Sequence, residues 1–226
     1  MSIMGLAERY RNPADLPAQL KVFPLPGALL LPRADLPLNI FEPRYLAMIA
    51  DALAGDRLIG MIQPADEEAD LSGNPPLSRI GCAGRITAYA ETPDDRLLIT
   101  LTGICRFSVE TELPSAGAYR IVEPDFTAYA SDLEPGLEQA RVDRTSLLKV
   151  FRAYLTANDL SADWEQVDAA SNESLVNTLS LLAPYPPRDK QALLEAFDLK
   201  TRADVLIALT EMALAKDNAH PGTRLQ

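Results

Sequence analysis

Histidine and cysteine are scarce in this sequence. The one histidine, His220, lies in a polar C-terminal tail, and tails of this kind are usually poorly ordered. Catalytic schemes that use histidine as a general base would depend on that residue alone, and zinc sites with paired histidines are excluded. The two cysteines, Cys82 and Cys105, have no CxxC spacing. They fit small buried side chains better than a metal or redox site.

The motifs of nucleotide binding and nucleophilic catalysis are absent as well. The sequence contains no G-x-x-x-x-G-K-[ST], no G-x-G-x-x-G and no G-x-S-x-G. Its few lysines lie mostly at the surfaces or ends of expected helices, where the lowered pKa that a Ser–Lys dyad needs is not expected. No spacing singles out a carboxylate pair among the 32 acidic residues. We therefore predict no catalytic, cofactor-binding or metal-binding residue.

The charge balance excludes a further class of partners. The net charge is −11, and lysine and arginine do not cluster, so we expect neither nucleic acid nor an anionic membrane as a partner. No apolar run reaches the roughly 20 residues that span a bilayer. The first ten residues lack the features of a signal peptide. We expect a cytoplasmic protein.

Short apolar runs bounded by proline and glycine predict strands in the first 130 residues or so. They lie at residues 22–26, 28–31, 36–41, 57–63, 80–91, 96–102 and 119–126. The turn at residues 92–95 predicts a hairpin. One helix is expected from Pro43 to Gly55, with an apolar stripe formed by Leu46, Ile49, Ala50 and Leu53.

Helical spacing replaces this pattern after about residue 131. Apolar residues recur at helical intervals in residues 135–157, 173–182 and 187–196, and Thr201 with Asp204 has capping-box spacing for a final helix. Strands followed by helices predict an α+β fold. The expected division is an N-terminal extension, a β-rich sub-domain, a helical bundle and a flexible tail, at residues 1–19, 20–130, 131–216 and 217–226.

Several segments, in order along the chain, carry a family resemblance. Residues 23–27 and 37–45 (FPLPG and PLNIFEPRY) resemble the opening of the N-terminal, substrate-binding domain of Lon proteases. Two later segments, GCAGRI and ITLTGICRF, are similar to further signatures of that family, and residues 175–195 are similar to its helical part. The match extends over about residues 20 to 215.

The resemblance implies both a fold and a function. The implied fold is a PUA-like pseudo β-barrel of about six strands and one helix, followed by a helical bundle. In Lon proteases this domain helps to capture unfolded or tagged substrates and supports assembly, whereas the ATPase and the Ser–Lys protease lie further along the chain. Because this sequence stops at Gln226, neither proteolysis nor ATP binding is expected.

Two groups of residues follow as candidates. The candidate peptide- or partner-binding residues are Pro24, Pro26, Tyr45, Arg85, Arg106 and Trp164, and the candidate structural residues are Phe41, Glu42, Arg44, Gly84 and Gly103.

Each candidate has an ordinary structural interpretation as well. The two prolines fit a barrel corner better than a groove, and a Glu42–Arg44 pair would fix local geometry. Phe41 is predicted to be in the core, whereas Tyr45 fits either a groove wall or the core. Arg85 and Arg106 are predicted to face outward from the sheet, where they could bind carboxylates. Trp164 either caps the helical part or is an exposed contact residue.

The leading hypothesis is a non-catalytic module that binds unfolded or extended polypeptide. One alternative is an adaptor that docks on a folded partner protein, and another is a hydrolase with an unrecognised carboxylate site. RNA binding is suggested only by the PUA-like analogy, and the charge of −11 opposes it. Weak self-association of the chain is a further alternative.

Overall fold

Six strands form one sheet in the first part of the chain. A computed structural model describes residues 9–66, 74–115, 118–137 and 139–219. The strands are β1 (Leu20–Pro24), β2 (Asp35–Ile40), β3 (Leu58–Pro64), β4 (Leu77–Glu91), β5 (Leu97–Leu113) and β6 (Arg120–Asp125). The run at residues 28–31, which was also predicted to be extended, forms no strand. Residues 66–76, whose acidic, Gly-, Asn- and Pro-rich composition predicts a loop, lie partly outside the described residues.

The sheet closes on itself. Its strand order is β2-β5-β4-β3-β1-β6, and β6 pairs in addition with the C-terminal half of β5. The predicted hairpin is confirmed, since β4 and β5 pair antiparallel from Glu91 and Leu97 onward. β1 and β3 pair in parallel, which requires a crossover connection. Closure leaves β2 at an edge, and the PUA-like assignment of this barrel stays a prediction.

Helix α1 (Pro43–Ala54) lies in the crossover between β1 and β3. It begins and ends where the proline and Gly55 predicted. Its buried side chains are Tyr45, Met48, Ile49 and Ala52, so the predicted apolar stripe was one residue out of register. The reason is that Tyr45 packs on Phe23 of β1, with ring centroids 4.1 Å apart, and this contact sets the helix rotation.

Five further helices follow, namely α2 (Arg144–Ala157), α3 (Trp164–Ala169), α4 (Asn172–Leu182), α5 (Pro187–Glu195) and α6 (Leu199–Ala219). α2 begins later than predicted because the Asp143 carboxylate caps it, accepting a hydrogen bond from Ser146 N at 3.0 Å. The capping box predicted at Thr201 is wrong. Thr201 N donates to Asp198 Oδ1 at 2.7 Å, so the helix starts earlier. No described helix is long and apolar enough to cross a membrane.

Contacts within the chain divide it into two units. The first consists of Met1–Pro135 with Tyr185–Leu194, and the second of Gly136–Pro184 with Glu195–Gln226. Most of α5 therefore belongs to the β-rich unit, although its helical spacing predicted a place among the other helices. In the second unit, α6 packs against α2 and α4. The four predicted domain ranges and the bundle arrangement stay predictions.

Candidate functional site

Tyr45 lies at the start of α1, between the helix and the end of β1. Its side chain is 4% exposed, and this burial raises its pKa. The guanidinium carbon of Arg44 lies 4.6 Å from the centre of the Tyr45 ring. Arg44 also binds Glu42, with Nε and Nη2 at 3.0 and 2.9 Å from Oε2. The aromatic ring thus belongs to the core, and the arginine covers it.

An open cleft adjoins this cluster in the β-rich unit. The cleft is shallow, with a volume of about 310 Å³ when the open solvent at its mouth is included, and its lining residues are Pro24, Arg44, Tyr45, Asn74, Pro75, Ala118, Tyr119 and Arg120. The structure therefore brings two of the six predicted binding residues, Pro24 and Tyr45, to one cleft. Both are buried, so they form its floor and not a freely exposed wall.

The opposite side of the cleft is fixed by ionic and hydrogen-bonding contacts. Arg120 binds Glu112 with Nε and Nη2 at 2.6 and 2.5 Å from the two carboxylate oxygens, and its Nη1 donates to Pro75 O at 2.6 Å. The Tyr119 hydroxyl donates to Asp51 Oδ2 at 2.5 Å. This hydrogen bond raises the pKa of Tyr119 to about 12. Each cationic group of the cleft therefore has a carboxylate beside it.

Arg106 was predicted to face outward, and this prediction is wrong. Its side chain is 2% exposed. Nε and Nη2 lie 2.8 Å from the two oxygens of Asp132, the Arg106 N–H donates to the same carboxylate at 3.0 Å, and Nη1 donates to Leu194 O at 3.1 Å. Burial alone would lower its pKa, but the hydrogen bonds that it donates to the Asp132 carboxylate, and the charge of that carboxylate, raise it. Both faces of β5 are buried here, so alternation of polar and apolar residues did not identify a solvent face.

Pro26 lies at a corner that α5 covers. The next residue, Gly27, has φ +70°, a backbone conformation that favours glycine. Gly27 N donates to Gln63 Oε1 at 2.9 Å, and Gly27 O accepts from Lys190 Nζ at 3.0 Å. Gln63 is 3% exposed, and its Nε2 donates to Pro187 O and to Gln191 Oε1. These hydrogen bonds join the corner after β1 and the end of β3 to α5 within the β-rich unit.

Arg85 is half-buried on β4, away from the cleft lining. Its Nη1 donates to Tyr10 Oη at 2.9 Å and to Asp56 O at 2.5 Å. Gly84 precedes Arg85 on β4. Gly103 of β5 lies opposite Gly84 in the antiparallel ladder. A Cβ at Gly103 would lie 2.0 Å from Leu31 O, so only glycine permits this backbone approach.

The prediction that Phe41 lies in the core is also wrong. Its side chain is 61% exposed at the end of β2, because the chain turns there into α1. The guanidinium carbon of Arg96 lies 5.8 Å from the centre of its ring.

Trp164, the sixth predicted binding residue, lies in the second unit. It begins α3 and is half-buried. The guanidinium carbon of Arg152 lies 3.8 Å from its ring centre, and the Phe151 ring lies at 6.0 Å. Both partners come from α2, so the tryptophan joins α3 to α2. The binding roles assigned to all six residues stay predictions.

The described groups offer little acid–base or metal chemistry. Within the residues that the structure describes, no cluster of His, Cys, Asp and Glu could hold a metal ion. Burial raises the pKa of the Cys105 thiol, which keeps it protonated and unreactive. The pKa values of Asp15, Asp94, Asp125 and Asp143 are lowered by hydrogen bonds, the opposite of the shift that a general acid needs.

Comparison with family models decides the family. Residues 19–211 match the model described as the ATP-dependent protease La (LON) substrate-binding domain. The chain belongs to this family. The resemblance seen in the sequence segments is therefore confirmed.

Relatives of known sequence and structure agree with this membership. The chain is 27% identical over 203 residues to Lon protease 2 of Myxococcus xanthus, covering 88% of this chain and 24% of that protein. It is 26% identical over 204 residues to Lon protease of Flavobacterium johnsoniae, covering 87% and 24%. The chain thus spans about a quarter of the length of the curated relatives it matches.

Two solved structures share the fold. A Lon N-terminal domain protein from Xanthomonas campestris superposes with a TM-score of 0.58 at 23% identity, covering 84% of this chain and 97% of that one. The N-terminal domain of Mycobacterium avium complex Lon protease gives 0.63 at 19% identity, covering 85% and 98%. These confirm an α+β architecture of the Lon N-terminal type.

Local sequence patterns did not identify five residues that make cross-chain contacts in the β-rich unit, at the cleft, at the Pro26 corner and beside Arg106. These are Gln63, Asp132, Gln191, Tyr119 and Arg120. Asp132 pairs with a residue 26 positions away and Gln63 with one 128 positions away. Local patterns carry no signal for such partners. The one available hint was a glutamine at the end of an otherwise apolar strand, since buried amides require partners.

Proposed function

We propose that this chain is a non-catalytic module that holds unfolded or extended polypeptide. The observation that carries the proposal is the match of residues 19–211 to a family described by substrate binding. The absence of Walker-type and nucleophile motifs from the sequence supports a module that neither hydrolyses ATP nor cleaves its ligand. A cytoplasmic location is part of the same proposal.

The cleft beside Tyr45 supports this choice of ligand. Its two guanidinium groups are each paired with a carboxylate, so an anionic ligand would have to displace a salt bridge. Proline and tyrosine side chains form much of the remaining lining. Such surfaces suit an uncharged or apolar side chain of a polypeptide better than a phosphate or a free carboxylate.

The test uses one protein in two states. Lysozyme that has been reduced and carboxamidomethylated is unfolded but retains its charge, and native lysozyme is the matched control. We expect fluorescence anisotropy to give a dissociation constant in the range of tens of micromolar, about 6 kcal/mol, for the unfolded form only. Equal binding of both forms, or no binding at that concentration, would contradict the proposal.

A docking adaptor is the second candidate, and one observation favours it. In the second unit Leu182 and Phe197 are 75% and 77% exposed, and large exposed apolar side chains are typical of contact surfaces. Immobilised protein should then retain one partner at fixed stoichiometry. Retention of many unrelated unfolded chains would favour the polypeptide-binding module instead.

A further inference from the structure

No other strand pairs with the outer side of β2 along its whole length within the described part of the barrel. Strand β2 ends the strand order and pairs with β5 alone. Gly103 N donates to Ala34 O at 2.9 Å, and ladder bonds alternate along an antiparallel pair. The backbone groups of Leu36, Leu38 and Ile40 therefore point toward β5. Those of Asp35, Pro37 and Asn39 point away from it.

Pro37 independently supports this assignment. A proline has no N–H and is tolerated in a strand where that N–H would face solvent. Its position in the middle of β2 thus agrees with an outward orientation. The outer edge accordingly offers carbonyl groups at Asp35, Pro37 and Asn39, and N–H donors at Asp35 and Asn39.

The apolar side chains that line the inner face of the sheet are only partly covered at the β2 edge. Leu36 and Leu38 lie opposite Leu101 and Ile99 of β5. The β5 residues are 0% and 3% exposed, whereas the two β2 leucines are only half-buried. A further strand with apolar residues at alternate positions would continue the layer and cover both leucines.

Resting on the proposed function, we propose that the outer edge of β2 takes up the bound polypeptide as an added strand. The favoured segment has apolar residues at every second position and basic or uncharged residues between them. The negative charge near this edge favours the basic residues of such a segment. The exposed carboxylates are those of Asp35 on the edge and of Glu91, Asp94 and Asp95 at the end of the β4–β5 hairpin. Arg96, which pairs with Asp94, lies among them. A second copy of this chain fits less well. Antiparallel self-pairing centred on Pro37 would set two prolines opposite each other, and neither carbonyl would receive a hydrogen bond.

Two substitutions should move the affinity in opposite directions. The probe is an acetylated, amidated eight-residue peptide of alternating valine and lysine, labelled with a dye. Pro37→Ala supplies an outward N–H and should tighten binding about threefold to tenfold, the value of one added hydrogen bond. Asn39→Pro removes an outward N–H and should weaken binding by a similar factor. Pro93→Ala, which removes an exposed proline in the hairpin turn, is the matched control and should change nothing.

N-methylation of the peptide tests the same geometry on the unmodified protein. Methyl groups placed on successive backbone nitrogens should abolish binding at every second position and leave it intact between them, because alternate N–H groups face β2. A loss without alternation, together with unchanged affinity in Pro37→Ala, would overturn the edge assignment.

The remaining outcomes also separate the two proposals. Peptide-free dimerisation of Pro37→Ala in sedimentation, with no peptide binding, would identify a second copy as the occupant and overturn the inference. If unfolded lysozyme binds every variant equally, only the edge assignment fails. If it binds none of the proteins, wild type included, the proposed function fails with it.

Discussion

The buried Arg106–Asp132 pair supports the sharpest prediction about stability. Asp132→Ala would leave a guanidinium that is 2% exposed without its carboxylate. It would also remove the three hydrogen bonds that the carboxylate accepts from Arg106. Removing one partner of a buried pair costs about 3–5 kcal/mol, a large part of the about 5–15 kcal/mol by which a domain is stable.

Urea unfolding followed by circular dichroism measures this loss. Two variants provide the comparison. Asp204→Ala breaks the exposed Lys200–Asp204 pair and should cost less than about 1 kcal/mol. The double variant Arg106→Met, Asp132→Leu replaces the ion pair with apolar groups and should recover much of the stability lost in Asp132→Ala. If Asp132→Ala cost no more than Asp204→Ala, the buried pair would not have the role assigned to it here.

Three further predictions concern the corner after β1, the ladder and the cleft. Gln63→Met should lower the free energy of unfolding by about 2 kcal/mol and speed hydrogen exchange in α5, because Gln63 Nε2 donates hydrogen bonds to Pro187 O and Gln191 Oε1. Unchanged hydrogen exchange in α5 would contradict this prediction. Gly103→Ala should lower the free energy of unfolding by more than about 2 kcal/mol, because the new Cβ would lie 2.0 Å from Leu31 O. Gly55→Ala is the control and should be tolerated, because a Cβ there would lie 3.4 Å from its nearest neighbour. Similar unfolding midpoints for the two variants would count against the reasoning. The Tyr119 pKa is raised to about 12 from about 10 in an unfolded chain, so its bond to Asp51 stabilises the fold fully below about pH 10 and is lost as the pH rises toward 12. Tyr119→Phe should flatten that part of the stability–pH curve, and a curve identical to wild type would show that the bond is absent in solution.

The sequence predicted the elements whose signals are local. Pro43 and Gly55 bounded α1 correctly, and the T-P-D-D turn identified the β4–β5 hairpin. Both results follow from backbone restrictions that proline and turn residues impose on their neighbours. The order of several family segments then gave the fold, which no single motif could have given.

The predictions that were wrong concern features that depend on residues distant in the sequence. Phe41 was assigned to the core because it is apolar, but exposure depends on where the chain turns after β2. Arg106 was assigned to solvent by alternation, but β5 is covered on both faces. α5 was grouped with its neighbours in the sequence, although hydrogen bonds to Gln63 and Gly27 join it to the barrel. Such contacts are fixed only when the whole chain has folded.

The most direct test of the account incubates the purified chain with excess unfolded, carboxamidomethylated lysozyme and ATP, and follows complex formation, phosphate release and the mass of the lysozyme together. We expect a reversible complex, intact lysozyme after prolonged incubation and no phosphate above the protein-free control. Cleaved lysozyme or sustained phosphate release that co-purifies with the chain would contradict the claim that this module binds polypeptide without catalysis.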